Sequence, residues 1–320
     1  MRILLIKTSS LGDVVHNLPV VADIRAYRPD AVIDWVAEDS FADVPRLHPH
    51  VNTVIPVATR VWRKALLGPA TWSAMGEFKR ELQAHEYDVV LDTQGLVKSA
   101  LITRLARGPK YGQDAQSARE PLAARFYDHG FAVARGRHAV VRNRDLAAQA
   151  LGYPMPGGAP DYGIRAPTEP LPFTLPEPCV VCLHATSRDD KLWPEANWVN
   201  VATRFGRAGL HTVLPWGNDA ELARARRIGG AVSGAVVLPR LPLRVLATVL
   251  GLARAVVGVD TGLVHLAVAL GRPTVALYTA TDPTLTGVFG DTSRALNLGG
   301  VGKSPSVADV EAALAHLGLW

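Results

Sequence analysis

The sequence predicts an α/β protein built from two doubly wound parallel-sheet halves. Three observations carry the prediction. A strand and helix alternation runs twice along the chain, a proline-dense stretch separates the two runs, and 320 residues suit two domains of about 150 residues better than one. Hydrophobic residues make up 48% and charged residues 20%, which excludes disordered, collagenous and disulfide-stapled classes.

The first alternation opens with apolar, β-branched runs at Ile3–Lys7, Ala31–Ala37, Thr53–Ala58 and Asp88–Thr93. Amphipathic stretches such as Val20–Arg28 and Glu77–His85 fit the helical period between them. The pattern then breaks. Eight prolines fall between Gly152 and Pro178, and because proline lacks a backbone donor and blocks helices, this stretch reads as a connection between domains. The second alternation places strands at Cys179–Ala185, His211–Trp216, Ala235–Leu238, Ala255–Asp260 and Thr274–Tyr278. Its helices are expected to start near Pro194, Asp219, Pro242, Thr261 and Ser306. Ligands of such sheets bind beyond the carboxyl ends of the strands, so two facing halves would create a cleft.

Cys179 and Cys182 form a lone C-x-x-C inside the run CVVCLHA. Residues three apart on a strand point to opposite faces, so the pair reads as two buried thiols and not as a zinc or redox site. The formal net charge is +5, yet Lys98–Arg144 alone holds ten Lys or Arg against three acids. Such a segment suggests an anionic partner. It lacks interleaved aromatics, which argues against nucleic acid. The stretch Leu241–Val259 is interrupted by Arg244 and Arg254, and the first apolar run ends at Lys7, so neither a membrane span nor a secretory signal is expected and a cytoplasmic location is.

Neither half carries G-x-G-x-x-G after its first strand, and G-x-x-x-x-G-K-[ST], H-E-x-x-H and G-x-S-x-G are absent. Without a carboxylate-rich loop, catalysis is expected to be metal-free, and no cofactor is expected. The most informative run is VVGVDTGLVHLAVALGRPTVALY, where a strand delivers Asp260, Thr261 and Gly262 to a helix start that carries His265. Free N–H groups there attract an anion such as a diphosphate, and Gly262 permits close approach. On geometry alone, an N-cap carboxylate or hydroxyl and a core histidine explain the same run equally well.

The segments KTSSLGDVVHNLP, RVWRKA, DTQGLVKSA, AREPLAARFY, LHATSRDDKLWP, LPWGNDAE and DTGLVHLAVALGRP occur in an order along the chain that resembles the heptosyltransferases of glycosyltransferase family 9. The resemblance spans nearly the whole length. It implies a GT-B fold with an acceptor-binding Rossmann-like domain over 1–165 and an ADP-sugar-binding one over 166–320. It implies inverting transfer of heptose from ADP-heptose to the first Kdo of Kdo2-lipid A, with addition of the second heptose as the alternative. One block departs from the pattern: Thr279-Ala280-Thr281-Asp282-Pro283 stands where the family commonly has Gly-Pro-Thr-Asp-Pro.

By this resemblance Asp13 is the base that takes the acceptor proton, and Lys191 neutralises charge on the leaving diphosphate. Thr186, Ser187, Lys191, Glu221, Asp260, Thr261, Gly262 and His265 would bind the donor, Glu221 through the ribose hydroxyls. Ser9 and Ser10 would line the cleft without chemistry, and His16 would be structural. Arg60, Arg63 and Lys64 share a face if RVWRKA is helical, and with Arg119 they would hold acceptor phosphates and carboxylates. The same cluster would favour an anionic inner-membrane surface, with Trp62, Trp72, Leu66 and Leu67 as candidate docking or core residues. A two-domain protein that binds sugar nucleotide without chemistry is the remaining alternative.

Overall fold

The computed structural model describes residues 1–65 and 68–320, and the chain divides into two compact units, Met1–Ile164 and Arg165–Trp320. In the first unit, strands β1 (Arg2–Ile6), β2 (Val32–Glu38), β3 (Val51–Val57), β4 (Val89–Asp92), β5 (Lys110–Gln113) and β6 (His129–Phe131) form one sheet in the order β3-β2-β1-β4-β5-β6. Every neighbouring pair is parallel; Ile3 of β1, for example, sits between Ile33 and Val89. Parallel strands need crossovers and cover on both faces, which explains why β1 and β4 are apolar on both sides. One face is covered by helices Pro69–Leu82 and Val97–Leu105, whose Phe78, Leu82 and Ile102 join Leu4, Ile6, Val36, Val57 and Val90 in one core. Helix Leu18–Tyr27 packs on helix Ala139–Leu151 through a buried two-bond ion pair from Arg144 to Asp23, at 2.7 and 3.0 Å.

The second unit repeats the plan. Strands β7 (Cys179–Leu183), β8 (His211–Leu214), β9 (Val236–Val237), β10 (Ala255–Val259), β11 (Thr274–Tyr278) and β12 (Ala295–Gly299) order as β12-β11-β10-β7-β8-β9, again all parallel. Helices Glu195–Arg207, Asp219–Gly230 and Val307–His316 bury Trp198, Phe205, Ile228 and Leu314 against it. Trp193 packs edge-on to Trp198 and donates its Nε1–H to the Pro305 carbonyl at 2.8 Å, so its one polar group is satisfied inside the core.

The strands expected from sequence lie within two residues of those observed, but β5, β6 and β12 were not anticipated. They are short edge or near-edge strands whose glycines and polar residues weaken the apolar signal. Gly112 in β5 has a physical reason: a Cβ there would lie 2.3 Å from the Tyr127 ring, which crosses the strand to reach Asp92. The helix expected at Glu77–His85 begins at Pro69, and Pro194 caps the next helix rather than opening it. No helix or strand occurs between Leu151 and Cys179, as the prolines require. Cys179 and Cys182 are buried free thiols, with burial pushing Cys179 up to about 11.

The structure divides the basic segment. Arg144 is buried against Asp23, Arg142 donates to Gln113 and the Ser117 carbonyl, Arg104 pairs with Asp128, and Arg137 with Asp145. Arg144 is therefore internal scaffolding, while Arg104 and Arg137 are paired at the surface.

Candidate active site

The strand order of each sheet reverses between its first and fourth strands, so the loops leaving β1 and β4, and those leaving β7 and β10, splay apart at the carboxyl edge. Such switch points are where open α/β sheets bind ligands. In the first unit the β1 loop carries Lys7 to Asp13. Gln94, just past β4, fixes that loop: its Oε1 accepts from the Thr8 N–H at 2.7 Å and the Thr8 hydroxyl at 2.9 Å. Gly95, with φ +67, turns the β4 loop against the backbone of Arg119, where a Cβ would come within 3.3 Å. Buried Asp92 accepts from the N–H groups of Gln94 and Gly95 and from Tyr127, and burial still raises its pKa.

Asp13 lies in the first turn of helix Leu11–Val15, and its Oδ2 accepts from the Ser10 N–H (2.8 Å) and hydroxyl (2.9 Å). It is therefore a capping carboxylate, with both bonds on one oxygen. Ser9 accepts at 2.7 Å from Lys98, whose ammonium is lowered by burial and feels the charges of Glu38, Arg60, Asp13 and Arg63. The charges of Asp13, Arg60 and Arg63 thus act on one lysine. Arg119, exposed, acts on Lys7, whose pKa burial lowers while Asp13 and Asp92 oppose the shift. The helix that was to align Arg60, Arg63 and Lys64 spans only Thr59–Trp62; Arg63 caps it and Lys64 follows in a turn. Arg60 lies over the Phe41 ring at 5.0 Å and its N–H is held by Glu38 at 2.9 Å, while Arg63 and Lys64 are exposed. His16 is buried edge-on to His138. Trp62 packs on Phe78, Trp72 is 63% exposed, and Leu66 and Leu67 lie outside the described residues.

At the switch point of the second sheet, Asp260 follows β10 and its Oδ2 accepts from Lys191 and from Thr281, each at 2.7 Å. His265 Nε2 stands 3.9 Å from Oδ1. Burial alone would raise this carboxyl, but His265 and the hydrogen bonds from Lys191 and Thr281 outweigh it and hold Asp260 well below the usual carboxylate range. Thr186, from the β7 loop, donates to the Asp260 carbonyl at 2.9 Å, tying the two switch-point loops together. Lys191 ends a short turn, Asp189–Lys191, and Ser187 is exposed before it. Thr261 occupies the N-cap of helix Gly262–Ala269 without a side-chain cap bond, and Asp260 is turned to Lys191, so neither residue blocks the helix's free N–H groups.

Glu221 is otherwise engaged. Its Oε2 accepts from the Gly217 N–H at 2.7 Å and its Oε1 from the Asn218 amide at 2.9 Å, at the start of helix Asp219–Gly230 just beyond β8. The departing block supplies two threonines to this edge: Thr279 donates to the Asp190 carbonyl at 2.7 Å and Thr281 to Asp260. Sequence reasoning did not single out Lys98, Gln94 or Thr281. Each sat in a quoted segment, but its role depends on a partner between 21 and 89 residues away. Among the described residues, no three His, Cys, Asp or Glu side chains converge to hold a metal ion, and no helix is long and apolar enough to cross a membrane.

The chain is similar along its whole length to the Escherichia coli heptosyltransferase WaaC with ADP: TM-score 0.91, 41% identity, 99% of this chain and 100% of that one. The same protein with ADP-2-deoxy-2-fluoro heptose gives a TM-score of 0.87 at 41% identity, covering 98% and 99% of the two chains. Two parallel Rossmann-like sheets and this match define the class: a glycosyltransferase of the GT-B fold. The family description "Glycosyltransferase family 9 (heptosyltransferase)" matches residues 75–314, and the chain belongs to that family. Lipopolysaccharide heptosyltransferase 1 of Salmonella typhimurium is 47% identical over 92% of this chain and 93% of its own length. Lipopolysaccharide heptosyltransferase 2 of the same organism is 25% identical over 93% and 88%.

Proposed function

We propose that the protein transfers L-glycero-D-manno-heptose from ADP-heptose to the first Kdo of Kdo2-lipid A, with inversion at the anomeric carbon and without a metal ion. The observation that carries the donor assignment is the Lys191–Asp260–Thr281 cluster beside the open N-terminus of helix Gly262–Ala269. A cation and unpaired N–H groups at a switch point suit a diphosphate whose charge grows as the glycosidic bond breaks. Lys191 meets that charge, Thr186 and Asp260 hold the loops in place, and Ser187, Thr261, Gly262 and His265 complete the donor surface. Glu221 binds the ribose by exchanging its cap bonds for sugar hydroxyls.

In the first unit Asp13 removes the proton from the acceptor hydroxyl as that oxygen bonds to the anomeric carbon; the carbon's bond to the diphosphate breaks, and ADP departs with the electron pair. Oδ2 is fixed by Ser10, so Oδ1 is the atom assigned to the proton. Arg60, Arg63, Lys64 and Arg119, all exposed in the free protein, bind the acceptor's phosphates and carboxylates. A lipid-anchored acceptor places the enzyme on the cytoplasmic face of the inner membrane as a peripheral protein. The greater likeness to heptosyltransferase 1 than to heptosyltransferase 2 favours the first heptose over the second.

Mass spectrometry of products tests the reading. Offered ADP-heptose in EDTA, the protein gains a heptosyl product on Kdo2-lipid A and none on the already heptosylated acceptor. Product on the second acceptor alone assigns the next transfer instead, and activity restored only by Mg²⁺ or Mn²⁺ contradicts the metal-free chemistry.

A further inference from the structure

Three leucines of the first unit are about half exposed to water: Leu101, Leu105 and Leu122, at 50%, 41% and 51%. The two elements that carry them are in contact, the short helical segment Pro121–Phe126 packing on helix Val97–Leu105. Lys98, Leu101 and Leu105 are spaced i, i+3 and i+7, so they form one stripe about 10 Å long on that helix. The head of the stripe is at the active-site edge, where Lys98 donates to Ser9 beside Asp13; its tail is apolar. Cations surround it. Between residues 97 and 125 six Lys or Arg face two acids, and Arg104, Arg107 and Arg125 are exposed next to the leucines in sequence. Arg104 pairs with Asp128 at 3.4 Å on the surface.

Contiguous exposed leucines mark a contact surface, and a cationic rim selects an anionic occupant. We propose that this face docks on an anionic bilayer, with Leu101, Leu105 and Leu122 entering the headgroup boundary and Arg104, Arg107 and Arg125 meeting lipid phosphates. The inference rests on the lipid-anchored acceptor proposed above and specifies which face meets the membrane. Docked this way, the stripe runs from the apolar layer to the reacting edge, so an acceptor reaches Asp13 while its acyl chains stay in the bilayer. The surface differs from the Trp62 and Trp72 region that the sequence suggested.

Vesicle flotation tests it without any turnover. The wild type is expected to float with vesicles of equal parts phosphatidylcholine and phosphatidylglycerol and not with phosphatidylcholine alone, and added salt should weaken the binding. L105E/L122E should reduce binding by about tenfold or more. R104Q/R125Q should abolish the preference for anionic lipid. All these side chains are exposed, so both variants should keep the wild-type melting temperature, ADP affinity and rate on a deacylated, water-soluble acceptor. Failure of that soluble transfer in the wild type would reject the proposed reaction, whatever the vesicles show. Wild type that ignores anionic vesicles, or L105E/L122E that binds them normally, overturns the docking face. A wild-type dimer that the leucine variant dissociates, with neither binding vesicles, shows instead that the face joins copies of this chain.

Discussion

Replacing Lys191 by methionine keeps most of the unbranched side chain and removes its charge, which isolates the electrostatic role. In the free protein Lys191 and Asp260 are 18% and 12% exposed and 2.7 Å apart, so the carboxylate already offsets part of the lysine's charge. Two unit charges about 4 Å apart at an effective dielectric near 20 interact by about 4 kcal/mol. If Asp260 cancels about half of that toward a bound diphosphate, roughly 2 kcal/mol remains, or about 30-fold in ADP affinity. Turnover should fall by about a further tenfold, because phosphate charge rises in the transition state. Methionine also leaves Asp260 facing the diphosphate with only Thr281 and His265 as donors. Adding D260N should therefore recover part of the lost ADP affinity, although D260N alone weakens the site. Titration calorimetry with ADP and steady-state kinetics on the three variants measure both effects. K191M within threefold of wild type in both, or a double variant weaker than the single, would refute the reasoning.

Asp13→Asn keeps an acceptor for the Ser10 bonds while removing the base, so turnover should fall by about 10² to 10⁴ with ADP affinity unchanged; near-normal turnover in folded protein would reassign Asp13 to capping alone. Replacing Arg60, Arg63 and Lys64 together by alanine should raise the acceptor KM and flatten its salt dependence, and loss of ADP affinity with a normal acceptor KM would show the substrates assigned to the wrong units. Buried His184 has its pKa pushed down to about 4, first by burial and then by Arg224. The unfolded chain protonates it near 6.5, so stability falls as pH drops below that value and its loss is complete near 4, about 2 kcal/mol of it by pH 5. H184Q should show a shallower loss of melting temperature between pH 7 and 5 than wild type, and an unchanged slope would exclude this histidine as a source.

The two-sheet plan was legible because buried parallel strands such as Cys179–Leu183 and Ala255–Val259 are continuous apolar runs, and because prolines mark the join. Edge strands β6 and β12 face solvent in part and carry no such signal. Asp13, Lys191 and Asp260 are singled out by the segments around them. Their contacts were not legible, since sequence does not show that Lys191 reaches a carboxylate 69 residues on, or that Gln94 fixes a loop 86 residues back. The basic run Lys98–Arg144 was legible only as a count for the same reason: composition gives Arg144 as one more charge, while tertiary packing buries it against Asp23 from 121 residues away.

The proposed chemistry is a single displacement in which Asp13 acts as base and no enzyme group attacks the sugar. The anomeric configuration of the new bond, read by NMR on product made from ADP-heptose of known configuration, tests this most directly. A product of opposite configuration to the donor is predicted. Retention would contradict the claim, because it requires a second displacement and a nucleophile that this account does not contain.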